Sequence, residues 1–425
     1  MLDLRFIREN PDLVKTGAAN KNEKKCDAAH VDQILRFDNQ RRSTIREVER
    51  LKAERNMATH NIAKKKKAGE PADDAILAMR GVGKKIAQLD NDLREVDEQL
   101  NDLLLWVPNM PHESAPVGLD ESANVLVRTW GEKPKQDFEV LPHWEIGEKL
   151  GILDLEAATA ISGSGFYVLR GAGARLERAL ISYMLDIHTA DGYEEVKVPH
   201  IVTADTMRGT GQLPKLDDDM YHIESDDLYL IPTAEVPVTN LYKKKIINQD
   251  DLPIKMVAHT PCFRREAGAA GKDTRGMIRV HQFDKVEMVK IVHPDNSYEE
   301  LETLVAQAEK VLQGLGLHYQ VSELATGDLS FAAAKCYDLE LWAAGVEKYL
   351  EISSISIFES FQARRMNCRF RNKEKKMEFP HTLNGSGVAL ARLIPAILEN
   401  YQNADGTVSI PDALQPYMNG ATRIE

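Results

Sequence analysis

The sequence predicts an α+β protein, in which an antiparallel sheet flanked by helices follows an N-terminal arm of two antiparallel helices in a coiled coil. Three observations support this. A heptad pattern of apolar residues lies within residues 31–105, a proline-rich segment follows, and short alternating segments mixed with helices continue to the C-terminus. The 425 residues allow two or three domains. We expect an N-terminal domain over 1–107, a linker over 108–120 and the main domain over 121–425.

The second half of the arm has the clearer helical pattern. Its apolar residues are spaced alternately three and four apart for more than three heptads, at Met79, Val82, Ile86, Leu89, Leu93, Val96, Leu100 and Leu103. The first half is weaker, because Arg41, Thr44 and Arg55 interrupt its seam. Gly69 and Pro71 indicate the turn between the helices. A two-helix hairpin has one seam to bury, so we expect it to project from the main domain.

Positive charge is concentrated on this arm. The chain has a formal net charge of −12, whereas residues 41–67 hold ten Lys or Arg against three Glu. Such a patch can hold a polyanion, although a solvated helical face would give the same pattern. The candidate nucleic-acid contacts are Arg41, Arg42, Arg46, Arg50, Arg55, Lys64, Lys65, Lys66 and Lys67.

The composition argues against several other classes of protein. No apolar run approaches the roughly 20 residues that span a bilayer, and the first residues lack an apolar signal core. We therefore expect a cytoplasmic protein that does not contact a membrane. The four cysteines lie far apart, which favours buried thiols in a reducing cytosol and provides no zinc-binding spacing.

Residues 255–290 form the strongest candidate binding surface. We expect a strand over 255–266, a loop over 268–276 and a returning strand over 277–290. The loop lacks the spacing of a phosphate-binding P-loop, and the chain has no Gly-x-Gly-x-x-Gly pattern for a dinucleotide.

Alternation divides the returning strand into two faces. The predicted core face consists of Ile278, Val280, Val286 and Met288. The other face consists of Arg279, His281, Phe283, Lys285 and Glu287, and Arg264 and Glu266 share one parity on the first strand. Arginines suit phosphates, a ring suits a base and carboxylates suit an amine, although a hairpin with surface salt bridges would contain the same residues.

These segments resemble the signature motifs of class II aminoacyl-tRNA synthetases, in the form found in the seryl-tRNA synthetase family. Residues 262–276 resemble the second motif, 384–392 the third, and 176–202, with Pro199, the first. The opening residues, the helical arm and the segments around Glu351 and Phe361 are also similar to this family, so the resemblance covers essentially the whole chain. It implies a class II antiparallel sheet, a homodimer formed through the first motif around Pro199, and ATP-dependent ligation of serine to tRNA.

The resemblance also implies how ATP is held. Arg264, Arg279 and Arg392 would be catalytic, because guanidinium groups stabilise the charge that develops on the phosphates. The implied ATP-binding residues are Arg264, Glu266, Arg279, Val280, Phe283, Glu351, Ser354 and Arg392. Glu351 and Ser354 would also hold Mg²⁺ with oxygen ligands, and no zinc is expected. The local sequence alone is also compatible with a surface role for Arg392 and a capping or turn role for Ser354.

The implied amino-acid site is small and polar. Its residues would be Thr233, Glu235, Arg264, Glu287, Asn384 and Ser386. A pocket that hydrogen-bonds the hydroxyl of L-serine rejects alanine and glycine. In this family the arm holds tRNA(Ser) through the RNA backbone, which fits clustered Lys and Arg; whether tRNA(Sec) is also charged stays open.

Two other functions are compatible with parts of this pattern. A homologue of the catalytic core could load an amino acid onto a carrier protein, but such relatives generally lack the arm. A non-enzymatic paralogue could bind nucleic acid or a protein, but such paralogues usually lose motif residues, and Arg264, Glu287 and Arg392 are present here.

Overall fold

The computed structural model describes residues 1–267 and 275–425, and the chain divides into two units. The first unit holds residues 1–19 and 23–108, and the second holds 20–22 and 109–425. The N-terminal helices are α1 (Leu4–Glu9), α2 (Pro11–Asn20), α3 (Ala28–Lys67) and α4 (Asp73–Leu105).

Helices α3 and α4 confirm the predicted hairpin of two long helices. The side chain of Asp27 caps α3 by accepting the backbone N–H of His30. Every residue of the heptad pattern on α4 is buried or half-buried, and Ile86, Val96 and Leu100 are at most 5% exposed. Arg41, which interrupts the seam of α3, places Nε 2.6 Å from Oδ1 of Asp97 on α4. The polar interruption is therefore matched across the hairpin.

The second unit contains the remaining elements among the described residues. Its helices are α5 (His143–Lys149), α6 (Leu155–Ser162), α7 (Ala172–Ala190), α8 (Ala204–Thr210), α9 (Glu235–Asn240), α10 (Ser297–Gly314), α11 (Phe361–Arg365) and α12 (Leu390–Asn400). Its strands are β1 (Val125–Trp130), β2 (Leu153–Asp154), β3 (Val168–Leu169), β4 (Glu194–Glu195), β5 (Ile201–Thr203), β6 (His222–Ile223), β7 (Leu228–Leu230), β8 (Ile246–Asn248), β9 (Ile254–Phe263), β10 (Gln282–Val292), β11 (Tyr319–Glu323), β12 (Lys335–Ala343), β13 (Lys348–Glu359), β14 (Arg369–Arg371), β15 (Met377–Glu378), β16 (His381–Ala389), β17 (Val408–Ser409) and β18 (Arg423–Ile424). Across residues 1–267 and 275–425, no helix has the length and apolarity to cross a membrane.

One large sheet organises this unit. Its eight strands lie in the order β1, β11, β12, β13, β16, β10, β9, β4. All neighbours pair antiparallel, as predicted, except the short β4, which runs parallel to β9. A three-stranded sheet is formed by β15, β14 and β8.

The two faces of β10 have different roles. Its even-numbered residues Val286, Met288 and Val292 pack in the main core with apolar residues of α7, α10 and α12. Fully burying one such side chain contributes about 1.5–3 kcal/mol. The odd-numbered Phe283, Lys285 and Glu287 line a cavity, whereas Val289 and Ile291 extend the odd face into a second apolar cluster. The sheet thus carries a core on one side and a polar site on the other.

The predicted extent of the hairpin strands was partly wrong. The first strand ends at Phe263, not at 266, and the returning strand begins at Gln282, not at 277. Met277 donates its backbone N–H to Nε2 of His143, and His281 donates its own to the carbonyl of Gly165. These bonds to distant segments replace the ladder that would extend the strand. Residues 268–274 of the predicted loop lie outside the described residues.

Candidate active site

A cavity of about 980 Å³ in the second unit brings the predicted ligand-binding residues together. Its lining includes all thirteen of them: Thr233, Glu235, Arg264, Glu266, Arg279, Val280, Phe283, Glu287, Glu351, Ser354, Asn384, Ser386 and Arg392. Ile278 and Val280, which alternation assigned to the core, also line the cavity. Val280 is nevertheless buried in a small apolar cluster with Cys262 and Phe283, and Ile278 packs half-buried against the main core, as alternation predicted, although both residues precede the strand.

One end of the cavity combines cations with an aromatic ring. The guanidinium carbon of Arg264 lies 5.2 Å from the centre of the Phe283 ring, and its Nε donates to the carbonyl of Pro232 at 3.3 Å. Arg279 donates from Nη1 to Oε2 of Glu266 at 3.0 Å, while its buried Nε has no hydrogen-bond partner among the described residues. The buried Nε is out of reach of a ligand, but the side chain is one third exposed, so other donors of the guanidinium group can bind an anion.

Helix α12 supplies a third cation. Its apolar residues Leu390, Leu393 and Ile394 are buried, as their helical spacing predicted, and Arg392 lines the cavity. Nη1 of Arg392 lies 3.4 Å from Oε2 of Glu351 and also donates to the backbone carbonyl of Glu351. Arginine and carboxylate are thus adjacent on this wall of the cavity.

A buried polar network forms another part of the cavity wall. Nζ of Lys285 lies 2.6 Å from Oε2 of Glu287 and donates to Oγ1 of Thr233 at 2.9 Å. Asn384 donates from Nδ2 to Oε1 of Glu287 at 2.9 Å, and Ser386 donates to Oε2 at 3.4 Å. Glu287 is fully buried, so its charge is balanced by Lys285 rather than by water. The network presents several donors and acceptors to a small polar ligand.

Glu235 lies beside this network. Gln362 donates from Nε2 to its Oε1 at 2.6 Å, and Gln212 donates to its Oε2 at 3.4 Å. Burial, followed by the neighbouring Glu287 carboxylate, raises the pKa of Glu235 to about 7. A positively charged ligand group near Glu235 would favour the carboxylate and offset that burial.

Oxygen donors on β12 and β13 suit a magnesium ion shared with phosphates. Asp338 on β12 pairs in register with Ser354 on β13. Glu351 lies on β13 as well, three residues before Ser354. Burial and the nearby Glu351 carboxylate raise the pKa of Asp338 well above its usual range, so a cation here would relieve repulsion between the two acids. Over the described residues, no group of three or more His, Cys, Asp or Glu side chains is placed to hold a metal ion. The donor set fits Mg²⁺ that takes further oxygens from phosphates and water.

Lys285, Asp338 and Gln362 were missed as functional residues. Alternation placed Lys285 on the same face as Glu287, which was a sufficient signal to include it. Asp338 and Gln362 reach the site only through strand pairing and packing, with Gln362 lying 127 residues from its partner Glu235. Such pairings are not visible in one sequence.

The predicted nucleic-acid contacts on α3 fall into two groups. Arg41 pairs with Asp97, and Arg50 pairs with Glu47 at 2.9 Å and Glu54 at 3.2 Å. The other seven are exposed and have no ion-pair partner within the part of the chain that is described. They are Arg42, Arg46, Arg55, Lys64, Lys65, Lys66 and Lys67. The second group is therefore available to an external polyanion.

Two family descriptions match separate parts of the chain. Residues 1–111 match the seryl-tRNA synthetase N-terminal domain, and residues 220–401 match the tRNA synthetase class II core domain (G, H, P, S and T). The two matches follow the order of hairpin and sheet described above.

Curated relatives match over nearly full length. The chain is 53% identical to the serine–tRNA ligase of Desulfitobacterium hafniense over 98% of this chain and 99% of that protein. It is also 53% identical to the serine–tRNA ligase of Carboxydothermus hydrogenoformans, over 100% of this chain and 99% of that protein.

Solved structures agree with these matches. The seryl-tRNA synthetase of Pyrococcus horikoshii, complexed with ATP, superposes with a TM-score of 0.95 at 39% identity, over 100% of this chain and 99% of that one. The cytoplasmic serine–tRNA ligase of Naegleria fowleri, in complex with AMP, superposes with a TM-score of 0.89 at 30% identity, over 100% of this chain and 99% of that one.

Proposed function

The chain belongs to the family of seryl-tRNA synthetases, which are class II ATP-dependent ligases, and on that basis we propose that it activates L-serine with ATP and transfers it to the 3′ end of tRNA(Ser). The observation that carries this proposal is the convergence of Arg264, Arg279 and Arg392 with a buried polar network in one cavity. Cations for a triphosphate and hydrogen-bonding groups for serine are thus adjacent.

The chain positions ATP and neutralises its charge in the first step. Phe283 stacks on the adenine, and Glu266 contacts its amino group. Arg264 holds the α-phosphate, while Arg279 and Arg392 hold the distal phosphates from two sides. The Arg279 side chain is one third exposed and spends one donor on Glu266, which supports its role because its other guanidinium donors can bind a phosphate oxygen.

The reacting atoms need no protein nucleophile. A carboxylate oxygen of serine attacks the α-phosphorus, the bond to the β-phosphate oxygen breaks, and pyrophosphate leaves with the electron pair. Arg264 aligns the carboxylate with the phosphorus and stabilises the charge that develops there. Glu351 and Ser354, with Asp338 opposite, would hold Mg²⁺, which when bound neutralises phosphate charge.

Serine selection falls to the buried network. Thr233 and Glu235 bind the ammonium group, while Glu287, Asn384 and Ser386 surround the hydroxyl. Lys285 pairs with Glu287 and orients its carboxylate, so that Glu287 accepts a hydrogen bond from the hydroxyl of serine. Alanine and glycine lack the hydroxyl and therefore forgo its hydrogen bonds with this network, and this costs more affinity than a missing methylene alone.

The second step requires tRNA, and the cations of α3 bind its backbone. A homodimer formed through the first motif is the assembly we propose, and Pro199 of that motif is exposed on the single chain. The cytoplasm is the proposed location. Four free, buried cysteines support a reducing compartment.

Serine-dependent exchange of pyrophosphate into ATP tests the first step. We expect exchange with serine and none with threonine, alanine or glycine. Absence of exchange with every amino acid would favour a binding paralogue. Charging of purified tRNA(Ser), with a carrier protein and tRNA(Sec) as alternative acceptors, tests the second step, and transfer to the carrier alone would favour the carrier-loading homologue.

A further inference from the structure

We propose that the second unit carries a separate RNA-binding surface, which contacts the phosphate backbone of the tRNA. We define the basic sheet surface by six residues, Lys244, Lys245, Arg369, Arg371, Lys373 and Lys375. This inference rests on the proposed function, because that function brings tRNA to the protein. The surface is not part of the cavity and includes no residue of the helical hairpin.

Strand pairing assembles the surface from two distant segments. β8 runs parallel to β14, with Ile246 opposite Arg369 and Asn248 opposite Arg371. Lys244 and Lys245 directly precede β8, and the backbone N–H of Arg369 donates to the carbonyl of Lys245 at 3.0 Å. β15 pairs with the other side of β14. The turn between β14 and β15 holds Lys373 and Lys375, so the six cations lie around one small sheet.

The charge of this surface is only partly balanced locally. Residues 243–251 and 369–378 contain eight Lys or Arg against four acids, Asp250, Asp251, Glu374 and Glu378, in a chain whose net charge is −12. Lys243 pairs with Asp205 at 2.5 Å and Lys376 with Glu374 at 2.7 Å. The six cations of the basic sheet surface are exposed and have no carboxylate partner within residues 1–267 and 275–425. Like charges held together with fewer counter-charges favour an external polyanion.

Two lysines of the basic sheet surface have an unusual backbone conformation. Lys244 has φ of +60° and Lys375 has φ of +65°. Asn and Gly adopt this left-handed region more readily than Lys, because other side chains crowd the following carbonyl. At both positions the chain thus has lysine where folding alone favours Asn or Gly. Glu347 and Glu359 also have positive φ, so this conformation is not specific to cations, but it makes the two lysines suitable positions for substitution by Asn.

The chemistry of the surface suits an RNA backbone. Arg369 and Arg371 alternate on β14 and share its exposed face with Ile246 and Met377, which are 60% and 38% exposed. Long cations bind phosphates without reading sequence, and apolar side chains between them can contact ribose. Phosphate contacts therefore supply affinity here, rather than recognition of serine tRNA over other tRNA.

The double substitution Lys244→Asn with Lys375→Asn tests the surface in the full-length protein. Asn is favoured at positive φ, so we expect thermal stability to be equal to or above that of the wild type. The dissociation constant for tRNA(Ser), titrated at several KCl concentrations, should rise roughly 3- to 10-fold near 0.1 M salt, and the salt dependence should weaken by about one to two ions. Lys135→Asn with Lys149→Asn removes the same charge from exposed positions elsewhere in the second unit and should change affinity less than twofold.

A second variant, Arg371→Gln with Lys373→Gln, should reproduce the weaker binding. Wild-type affinity and salt dependence in both folded variants would overturn the proposal, as would an equal loss in the Lys135 and Lys149 control. Serine-dependent pyrophosphate exchange should be unchanged throughout. A wild-type protein without such exchange would refute the proposed function, whereas normal exchange with unaltered RNA binding would refute only the basic sheet surface.

Discussion

Nδ1 of His143 lies 2.8 Å from Oε1 of Glu399, and both side chains are fully buried. The Met277 backbone N–H can only donate, so Nε2 of His143 accepts it at 3.1 Å and Nδ1 carries the proton. Glu399 also accepts the backbone N–H of Gly345 at 2.9 Å. Since Glu399 belongs to α12, which carries Arg392, and Met277 is two residues before Arg279, this pair links the segments that hold two of the arginines proposed to bind phosphate.

Two substitutions of His143 should separate the two bonds of its ring. In His143→Asn, the amide nitrogen replaces Nδ1 and keeps the bond to Glu399, but the acceptor for Met277 is lost. We expect the KM for ATP to rise several-fold, and the free energy of unfolding to fall by roughly 1–3 kcal/mol because the buried N–H of Met277 is left without an acceptor. In His143→Gln, an oxygen near the Nε2 position keeps the Met277 bond, but Glu399 loses a donor. Leaving that buried carboxylate short of a partner should lower the free energy of unfolding by roughly 1–3 kcal/mol.

Exchange kinetics and denaturant unfolding of both variants check this prediction. Val305→Ala, a core substitution in α10, is the control for lost stability without a change in ATP binding. Equal effects of the Asn and Gln variants on both measurements would contradict the separate roles.

Arg264→Ala should abolish activation without unfolding the protein. Its side chain makes one 3.3 Å hydrogen bond to a carbonyl and a contact with the Phe283 ring, so little stability depends on it. Loss of one group that stabilises the transition state lowers kcat by about a hundredfold or more. Exchange assays and thermal unfolding measure the two effects.

The neighbouring Arg265 supplies a matched control for that experiment. It is exposed and does not line the cavity, so Arg265→Ala should leave exchange within a few-fold of wild type. An Arg264→Ala protein that exchanges nearly as well as Arg265→Ala would contradict the catalytic role.

The helical hairpin could be predicted because its signal is local. A seven-residue repeat such as that from Met79 to Leu103 places its apolar residues on one stripe of a helix, independently of the rest of the chain. Helix α4 contains this repeat, as predicted. The antiparallel sheet was also predictable from short alternating segments. The parallel pairing of β4 with β9 was not, because a two-residue strand carries no pattern.

The candidate site was predicted largely through resemblance, and its errors have physical causes. Alternation describes the two faces of β10 correctly, but the strand begins at Gln282 and not at 277, because Met277 is held by His143, which lies 134 residues away. Asp338 depends on the pairing of β12 with β13. A single sequence does not reveal hydrogen bonds between such distant segments. The face of a strand, in contrast, follows directly from the alternation of neighbouring residues.

The raised pKa of Glu235 predicts how serine binding depends on pH. Below about pH 7 the buried side chain is mostly protonated and cannot accept an ammonium group as a carboxylate. The KM for serine in pyrophosphate exchange should therefore rise roughly tenfold between pH 8 and pH 6. In Glu235→Gln the KM should be high throughout and should lose this dependence.

The raised pKa of Glu235 also predicts how stability depends on pH: serine binding should improve as the pH rises, whereas the stability of the folded protein should fall. The folded pKa is above the ordinary value of 4.5, so folding favours the protonated form. The contribution of Glu235 to stability is complete below about pH 4.5 and is lost as the pH rises through about 7. Denaturant unfolding of wild type and Glu235→Gln across this range measures the difference, and parallel stability profiles would contradict the raised pKa.

Ion pairing on α3 predicts which arginines contribute most to tRNA binding. Arg46 and Arg50 are four residues apart, both are exposed, and each substitution to Gln removes one charge. Arg50 is held by Glu47 and Glu54, and hydrogen bonding from Arg50 lowers the pKa of Glu47 to about 2. Arg46 has no carboxylate partner in the described chain. A phosphate would have to displace two carboxylates from Arg50 but none from Arg46.

Arg46→Gln should therefore raise the dissociation constant for tRNA(Ser) by roughly threefold or more and weaken its salt dependence by about one ion, as expected for one lost phosphate contact. Arg50→Gln should change the constant by less than about twofold, because only the long-range effect of its charge is lost. Binding titrations at several salt concentrations provide both numbers, and serine-dependent exchange should be unchanged in both proteins. A larger effect of Arg50→Gln would show that its carboxylate partners orient it toward the RNA instead of occupying it.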